Sequence, residues 1–258
     1  QVVGPLVGRT EGRPLVLVPT GALHGTPWAA LPGIAPVLSV APSAGLWMRG
    51  HAIEPLHHAP GDHRSGAHSR LTEGVRVLVA AGPRLAHAVA EAEDVAQRYP
   101  DAEVTLAPYA TVEEVREALP TVDLAHLACH GHFRDDNPLF SALEFDGGRL
   151  SVFELERLSR VPRHLVLSAC DSGRAAVRPG DELIGLTAAL LRLGTQSLVA
   201  SVLPVPDDAT RRLMTALHGQ LAAGLAPPHA LAAARLQLDT TSDADLVAAA
   251  AFVAFGSD

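Results

Sequence analysis

Two stretches of this 258-residue chain carry side chains that could do chemistry together. The first, VDLAHLACHGHF at 122–133, runs from apolar residues into Cys129, His130, Gly131 and His132. The second, RHLVLSACDSG at 163–173, runs into Cys170 and Asp171. A cysteine attacks a carbonyl as its thiolate, so it needs a base or a positive charge at hand to give up its proton. An imidazole serves both needs and can later protonate a leaving amine. His130 and Cys170 are therefore the candidate base and nucleophile. Gly131 permits close backbone approach, and its N–H together with that of Cys170 would stabilise an oxyanion. Ser168, Ala169 and Gly173 are small enough to leave room for an extended peptide.

Both runs are short and apolar throughout, as in strands buried on two faces of a parallel sheet. Open α/β sheets gather their reactive groups beyond the carboxyl ends of such strands. His130 and Cys170 are 40 residues apart, room for one strand-sized and one helix-sized segment. A right-handed crossover of that length sets two parallel strands side by side. Strand patterns at 14–19, 37–42, 75–81, 103–106, 122–129, 142–145, 164–169 and 197–202 alternate with helical ones. The helices are expected at 43–48, 84–99, 111–119, 152–158, 183–193, 207–224, 227–238 and 243–255. Thr111 and Glu114 have capping-box spacing, and Gly194 stops the helix before it. The alternation predicts an α/β fold with a mainly parallel sheet and helices on both faces. Residues 54–73 break the pattern with Pro, Gly, Ser and histidines, which predicts a mobile loop.

Composition narrows the function classes. The chain is 48% hydrophobic with 22 Gly and 20 Pro, so it is neither disordered nor fibrous. Aromatics are only 4%, which leaves Leu, Val and Ala to fill the core. The net charge is −8 and no basic run is present, against a dedicated nucleic-acid binder. Two cysteines do not make a disulfide scaffold and imply a reducing, cytoplasmic setting. The longest apolar stretch, LVAAAAFVAF at 246–255, is too short to span a bilayer, and no signal peptide is visible. The chain opens on Gln1 rather than Met, so it reads as the C-terminal part of a longer protein.

The other reactive residues have plainer accounts. His132, two residues beyond His130, binds substrate or is solvated. His126 lies within a strand and reads as a core histidine. Cys129 points away from His130 by strand alternation and reads as a core thiol. Arg84 follows a strand directly, and Asp181 lies in the segment after Cys170. Each could line a specificity pocket, with surface charge as the plainer account. The Gly82-Pro83 turn lacks a GxGxxG or Walker pattern, which argues against nucleotide binding. The histidines at 51, 57, 58, 63 and 68 fit no standard zinc spacing, so no metal or other cofactor is expected.

The ordered blocks of the chain resemble the CHAT family, caspase-like domains often found with tetratricopeptide repeats, and more distantly caspases and separase. The blocks are PLVLVPTGALHGTPWAALPG, VAPSAGLW, AAGPRLAHAVAEAEDV, YATVEEVREAL, HLACHGHFRDDNPLFSALEFDGGRLSVFEL, LVLSACDSG, GDELIGLTAALLRLGTQSLVASVLPVPDDAT and AAFVAFG. In caspases the nucleophilic cysteine also follows its histidine, by about 50 residues. The resemblance implies a caspase-like three-layer sandwich over residues 1–258. It implies endopeptidase activity on protein substrates, with His130 as base and acid and Cys170 as nucleophile. An upstream repeat region or a regulatory partner would control it. Leu203 stands where relatives commonly carry Trp. Asp171 stands where caspases carry Arg, so nothing supports a preference for cleavage after Asp. Two other readings stand beside the peptidase: an idle caspase-like interaction module, and a Cys-dependent hydrolase or acyltransferase on small molecules.

Overall fold

Eight strands form the central sheet of the computed structural model, which describes residues 13–20, 23, 25–31, 34, 36–52, 74–132, 137–168 and 179–257. In chain order the strands of this sheet are β1 (Leu15–Leu17), β2 (Leu38–Val40), β3 (Arg76–Ala81), β4 (Glu103–Ala107), β5 (Leu124–Ala128), β9 (His164–Leu167), β10 (Ser197–Ser201) and β11 (Phe252–Gly256). Their order across the sheet is β1-β2-β11-β10-β9-β5-β3-β4. Every neighbouring pair is parallel except β10 and β11, which run antiparallel. A second sheet of three antiparallel strands, β6 (His130–His132), β7 (Ala142–Phe145) and β8 (Gly148–Ser151), lies between β5 and β9 in the chain.

The apolar runs become central strands because both faces of the large sheet are covered. Along β3, Leu78 and Ala80 join one core while Val77, Val79 and Ala81 join the other. The first core includes Leu127, Leu165, Leu167, Leu198 and Phe255, closed by α3 (Val112–Ala118), α4 (Val152–Leu155), α5 (Pro179–Leu193) and the inner face of the small sheet. The second includes Val166, Val199 and Phe252, closed by α2 (Ala88–Ala96), α6 (Asp207–Ala222), α7 (Pro227–Arg235) and α8 (Asp243–Ala251). A further helix, α1 (Ala44–Ala52), follows β2. Helices on both faces of a mainly parallel sheet are what the alternating pattern predicts.

Local signals placed several boundaries well. Thr111 accepts from the Glu114 N–H and Glu114 from the Thr111 N–H, the expected capping box. Ser151 and Glu154 form a second one at α4, which ends at Leu155 before 158. The helix expected from residue 84 starts at Ala88, because Pro83 and Arg84 make a turn and Arg84 adopts φ 62°. The helix expected over 243–255 is a correction. It ends at Ala251, and Phe252–Gly256 is a strand held between β10 and β2. An apolar run such as FVAFG has no period that separates a buried strand from a buried helix. The loop expected at 54–73 lies outside the described residues.

Candidate active site

Strands β5 and β9 are direct neighbours. Their register pairs Leu124 with His164 and Leu127 with Leu167, an offset of 40 residues throughout. One residue further on, the Ser168 N–H donates to the Leu127 carbonyl at 3.0 Å. Beyond Ala128 the chain leaves the large sheet, passes through Cys129 and enters β6 at His130. Gly82 makes this switch possible. Its N–H donates to the Ala128 carbonyl at 2.8 Å, and a Cβ on it would lie 2.5 Å from the Glu144 carbonyl and 2.8 Å from Cys129 Cβ. Only a residue without a side chain lets the end of β3, the end of β5 and strand β7 meet so closely.

In the small sheet His130 pairs with Glu144, Gly131 with Leu143 and His132 with Ala142. Side chains alternate across a strand. Gly131, Leu143 and Leu150 therefore share the inner face, where Leu143 and Leu150 are buried in the first core. His130, His132 and Glu144 share the other face. There the Glu144 carboxylate contacts the guanidinium of Arg84 through Oε1 and the His132 ring through Oε2. The Glu144 side chain is 12% exposed and that of Arg84 is 70% exposed. His130 is half-buried and makes polar or electrostatic contacts of its own. Gly131 is buried opposite Leu143.

The structure thus gathers His130, His132 and Arg84, which lie apart in the reading of the sequence, around Glu144, which that reading missed. One signal was available: Glu144 interrupts the apolar run ALEF, and a charge at a buried strand position requires partners. Cys170 and Asp171 lie outside the described residues. Asp181 falls within α5, with its side chain outside them.

His126 and Cys129 are core residues, as expected. Cys129 is a free, fully buried thiol, and burial pushes its pKa up so that it stays protonated. His126 belongs to a buried chain of hydrogen bonds behind β5. Its Nε2 lies 3.0 Å from Glu91 Oε1 and its Nδ1 lies 3.0 Å from His218 Nε2. His218 Nδ1 lies 2.7 Å from the Tyr99 hydroxyl. A carboxylate only accepts, so His126 donates from Nε2; with that ring neutral, its Nδ1 accepts from His218 and His218 Nδ1 accepts from Tyr99. Burial keeps the phenol neutral and holds the His218 pKa well below its usual value, the nearby His126 adding to that.

A cavity of about 700 Å³ lies beside α2 and α6, and His130 is not among the residues that line it. Its charges are largely matched: Arg211 binds Asp94 at 2.7 Å, and Arg212 binds Asp208 at 3.1 Å and Asp245 at 3.0 Å. Among the described residues no three His, Cys, Asp or Glu side chains are grouped to hold a metal ion. No helix among them is long and apolar enough to cross a membrane.

The sheet order, the helices on both faces and the histidine beyond a central strand define a caspase-like α/β sandwich, a fold found among cysteine peptidases. Within it, the CHAT domain family model matches residues 1–257, and the chain belongs to that family. The Saccharomyces cerevisiae separase, solved as a separase–securin complex, superposes with a TM-score of 0.62 at 16% identity. That match covers 94% of this chain and 15% of separase. Gingipain R, an Arg-specific cysteine proteinase of Porphyromonas gingivalis, superposes at 0.50 with 15% identity over 75% of this chain and 48% of its own. The chain therefore spans only a part of each of these proteins. No curated protein sequence matches it significantly.

Proposed function

We propose that the chain is a cysteine endopeptidase acting on protein substrates through His130 and Cys170. One observation carries the reading: the β5–β9 register is offset by 40 residues, the same interval that separates His130 from Cys170. Two peptide units limit the Cα distance from Ser168 to Cys170 to about 7 Å. That limit supports a thiol within reach of the strand end after which the chain turns to His130.

In the proposed reaction His130 takes the thiol proton and the thiolate attacks the scissile carbonyl carbon. The N–H groups of Gly131 and Cys170 hold the oxyanion. As the C–N bond breaks, His130 returns its proton to the leaving amine. Water, deprotonated by His130, then releases the acyl group and frees the thiol. No metal takes part. In this reading His132, Asp171, Asp181 and Arg84 would bind substrate along the cleft. The domain is read as one part of a longer cytoplasmic protein. Its activity is set by an upstream repeat region or by a protein partner, as the separase–securin pairing suggests.

Mass spectrometry of a peptide library exposed to the full-length protein tests activity and cleavage preference together. Cys170→Ala or His130→Ala is expected to lower kcat/KM by roughly 10⁴-fold. Equal cleavage by the Cys170→Ala protein would overturn the mechanism. An electrophilic peptide probe should label wild type, and only when both residues are present. Labelling that ignores them would point to an interaction module.

A further inference from the structure

Glu144 sits directly across the β6–β7 ladder from His130. Opposed residues in such a ladder have Cβ atoms about 5 Å apart, and these two side chains leave the same face. A side chain bound at Glu144 would therefore belong to a peptide whose scissile bond lies near His130. We propose that Glu144 is a specificity-determining residue that binds the cationic side chain of an arginine- or lysine-bearing peptide, and that Arg84 takes that place when no peptide is bound. The proposal rests on the peptidase reading above for its substrate class.

Three features of the site favour exchange. Glu144 is nearly buried, and a carboxylate there offers only acceptors, so it must be met by a cation or by strong donors. His132 meets one of its oxygens and Arg84 the other. Arg84 reaches in from the solvent side, with most of its side chain exposed, on the turn that follows β3. Its backbone has a φ of 62°, the only positive value outside glycine among the described residues. Non-glycine residues hold that conformation where their surroundings impose it. The side chain has little packing to lose, and a substrate guanidinium can replace it without changing the charge at Glu144. A neutral side chain bound there would shut water out from the carboxylate without supplying the compensating positive charge, so it competes less well.

The test uses matched peptides carrying Arg or citrulline, its uncharged near-isostere, at the basic position of a cleaved site. The full-length protein should prefer Arg by roughly 10- to 100-fold in kcat/KM. Glu144→Gln should bring the ratio close to one. Arg84→Gly keeps the backbone conformation accessible and removes the competing guanidinium, so it should lower KM for the Arg peptide. Cleaved sites without a basic residue, or a ratio indifferent to Glu144→Gln, would overturn the proposal. A preference for acidic peptides that disappears in Arg84→Gly would do the same, by assigning the recognition to Arg84.

A second measurement does not depend on catalysis. Agmatine, a free guanidinium compound, should shift the His132 ring resonances of the Arg84→Gly protein saturably. It should leave them in place in the Arg84→Gly, Glu144→Gln double variant. No saturable shift in the single variant, or the same shift in both, would refute the proposal. Failure of the peptidase reading would appear separately, as peptide cleavage that survives Cys170→Ala.

Discussion

Two glutamate–histidine clusters flank the candidate base, and they differ in almost every physical respect. Glu91 and His126 lie behind β5, excluded from water and extended by His218 and Tyr99 into a chain with every ring nitrogen engaged. Glu144 and His132 lie beyond the end of β5, and their third member is a largely solvent-exposed arginine. The first cluster ties α2 and α6 to the strand that leads to His130. The second faces the side where a substrate would approach. A fully satisfied polar group in a dry interior stabilises one arrangement, because any change leaves a charge or donor unpaired. A half-exposed ion pair exchanges partners at small cost. Burial, rather than residue type, separates the structural histidine from those of the site.

Substitutions should make that contrast measurable. His126→Ala leaves Glu91 and His218 buried without their shared partner and should destabilise the protein by about 3 kcal/mol in urea unfolding. A loss under 1 kcal/mol would mean that water or repacking replaces the ring. Gly82→Ala comes next. A methyl forced against the Glu144 carbonyl and Cys129 should cost about 2 kcal/mol, and the proposed peptidase activity should fall with it as β7 shifts. Unchanged stability would show that the three strand ends have room to spare.

Acid should act through two histidines, His218 of the inner cluster and His164 on β9. His218 has its pKa held well below 6.5, and burial lowers that of His164 to about 4, with the Arg163 charge adding to the effect. The unfolded chain binds these protons at about pH 6.5 and the folded chain does not. Stability is thus fully present above about pH 6.5 and declines by about 1.4 kcal/mol per histidine for each pH unit below it. For His164 the decline ends near pH 4. A melting temperature that stays flat from pH 7 to pH 5 would count against neutral buried rings. The smallest effect belongs to the outer cluster. Arg84→Gly should change unfolding free energy by less than about 1 kcal/mol, since the turn relaxes and water takes the place of the largely exposed guanidinium beside Glu144 when no peptide is bound. A larger loss would make Arg84 a structural residue.

Much of the fold is legible in the sequence because core strands and their caps leave local marks. VRVLVAA, HLVLSA and SLVASV read as strands buried on both faces, and they are neighbours of β5 or lie one strand away. Thr111 and Glu114 announce their helix by spacing alone. His130 and Cys170 are legible as a pair because residue type, strand ends and a 40-residue interval agree. Strand β11 is not legible, since FVAFG is apolar at every position and continues an Ala-rich helix. Nor is the small sheet complete, because HGH carries no strand pattern and pairs only through its partner ALEF.

The sequence by itself determined the α/β alternation, the family, and the histidine and thiol on which the proposed chemistry rests. Those features are encoded within a few residues of one another, where hydrophobic period, capping and motif spacing act. The tertiary structure decided which charges meet. Tyr99 finds His218 across 119 positions and Glu91 finds His126 across 35. Arg84 finds Glu144 because Gly82 lets two sheets close to within a backbone's width. Electrostatic partnership depends on distance and burial in space, and only the folded sheet edge sets those for Glu144.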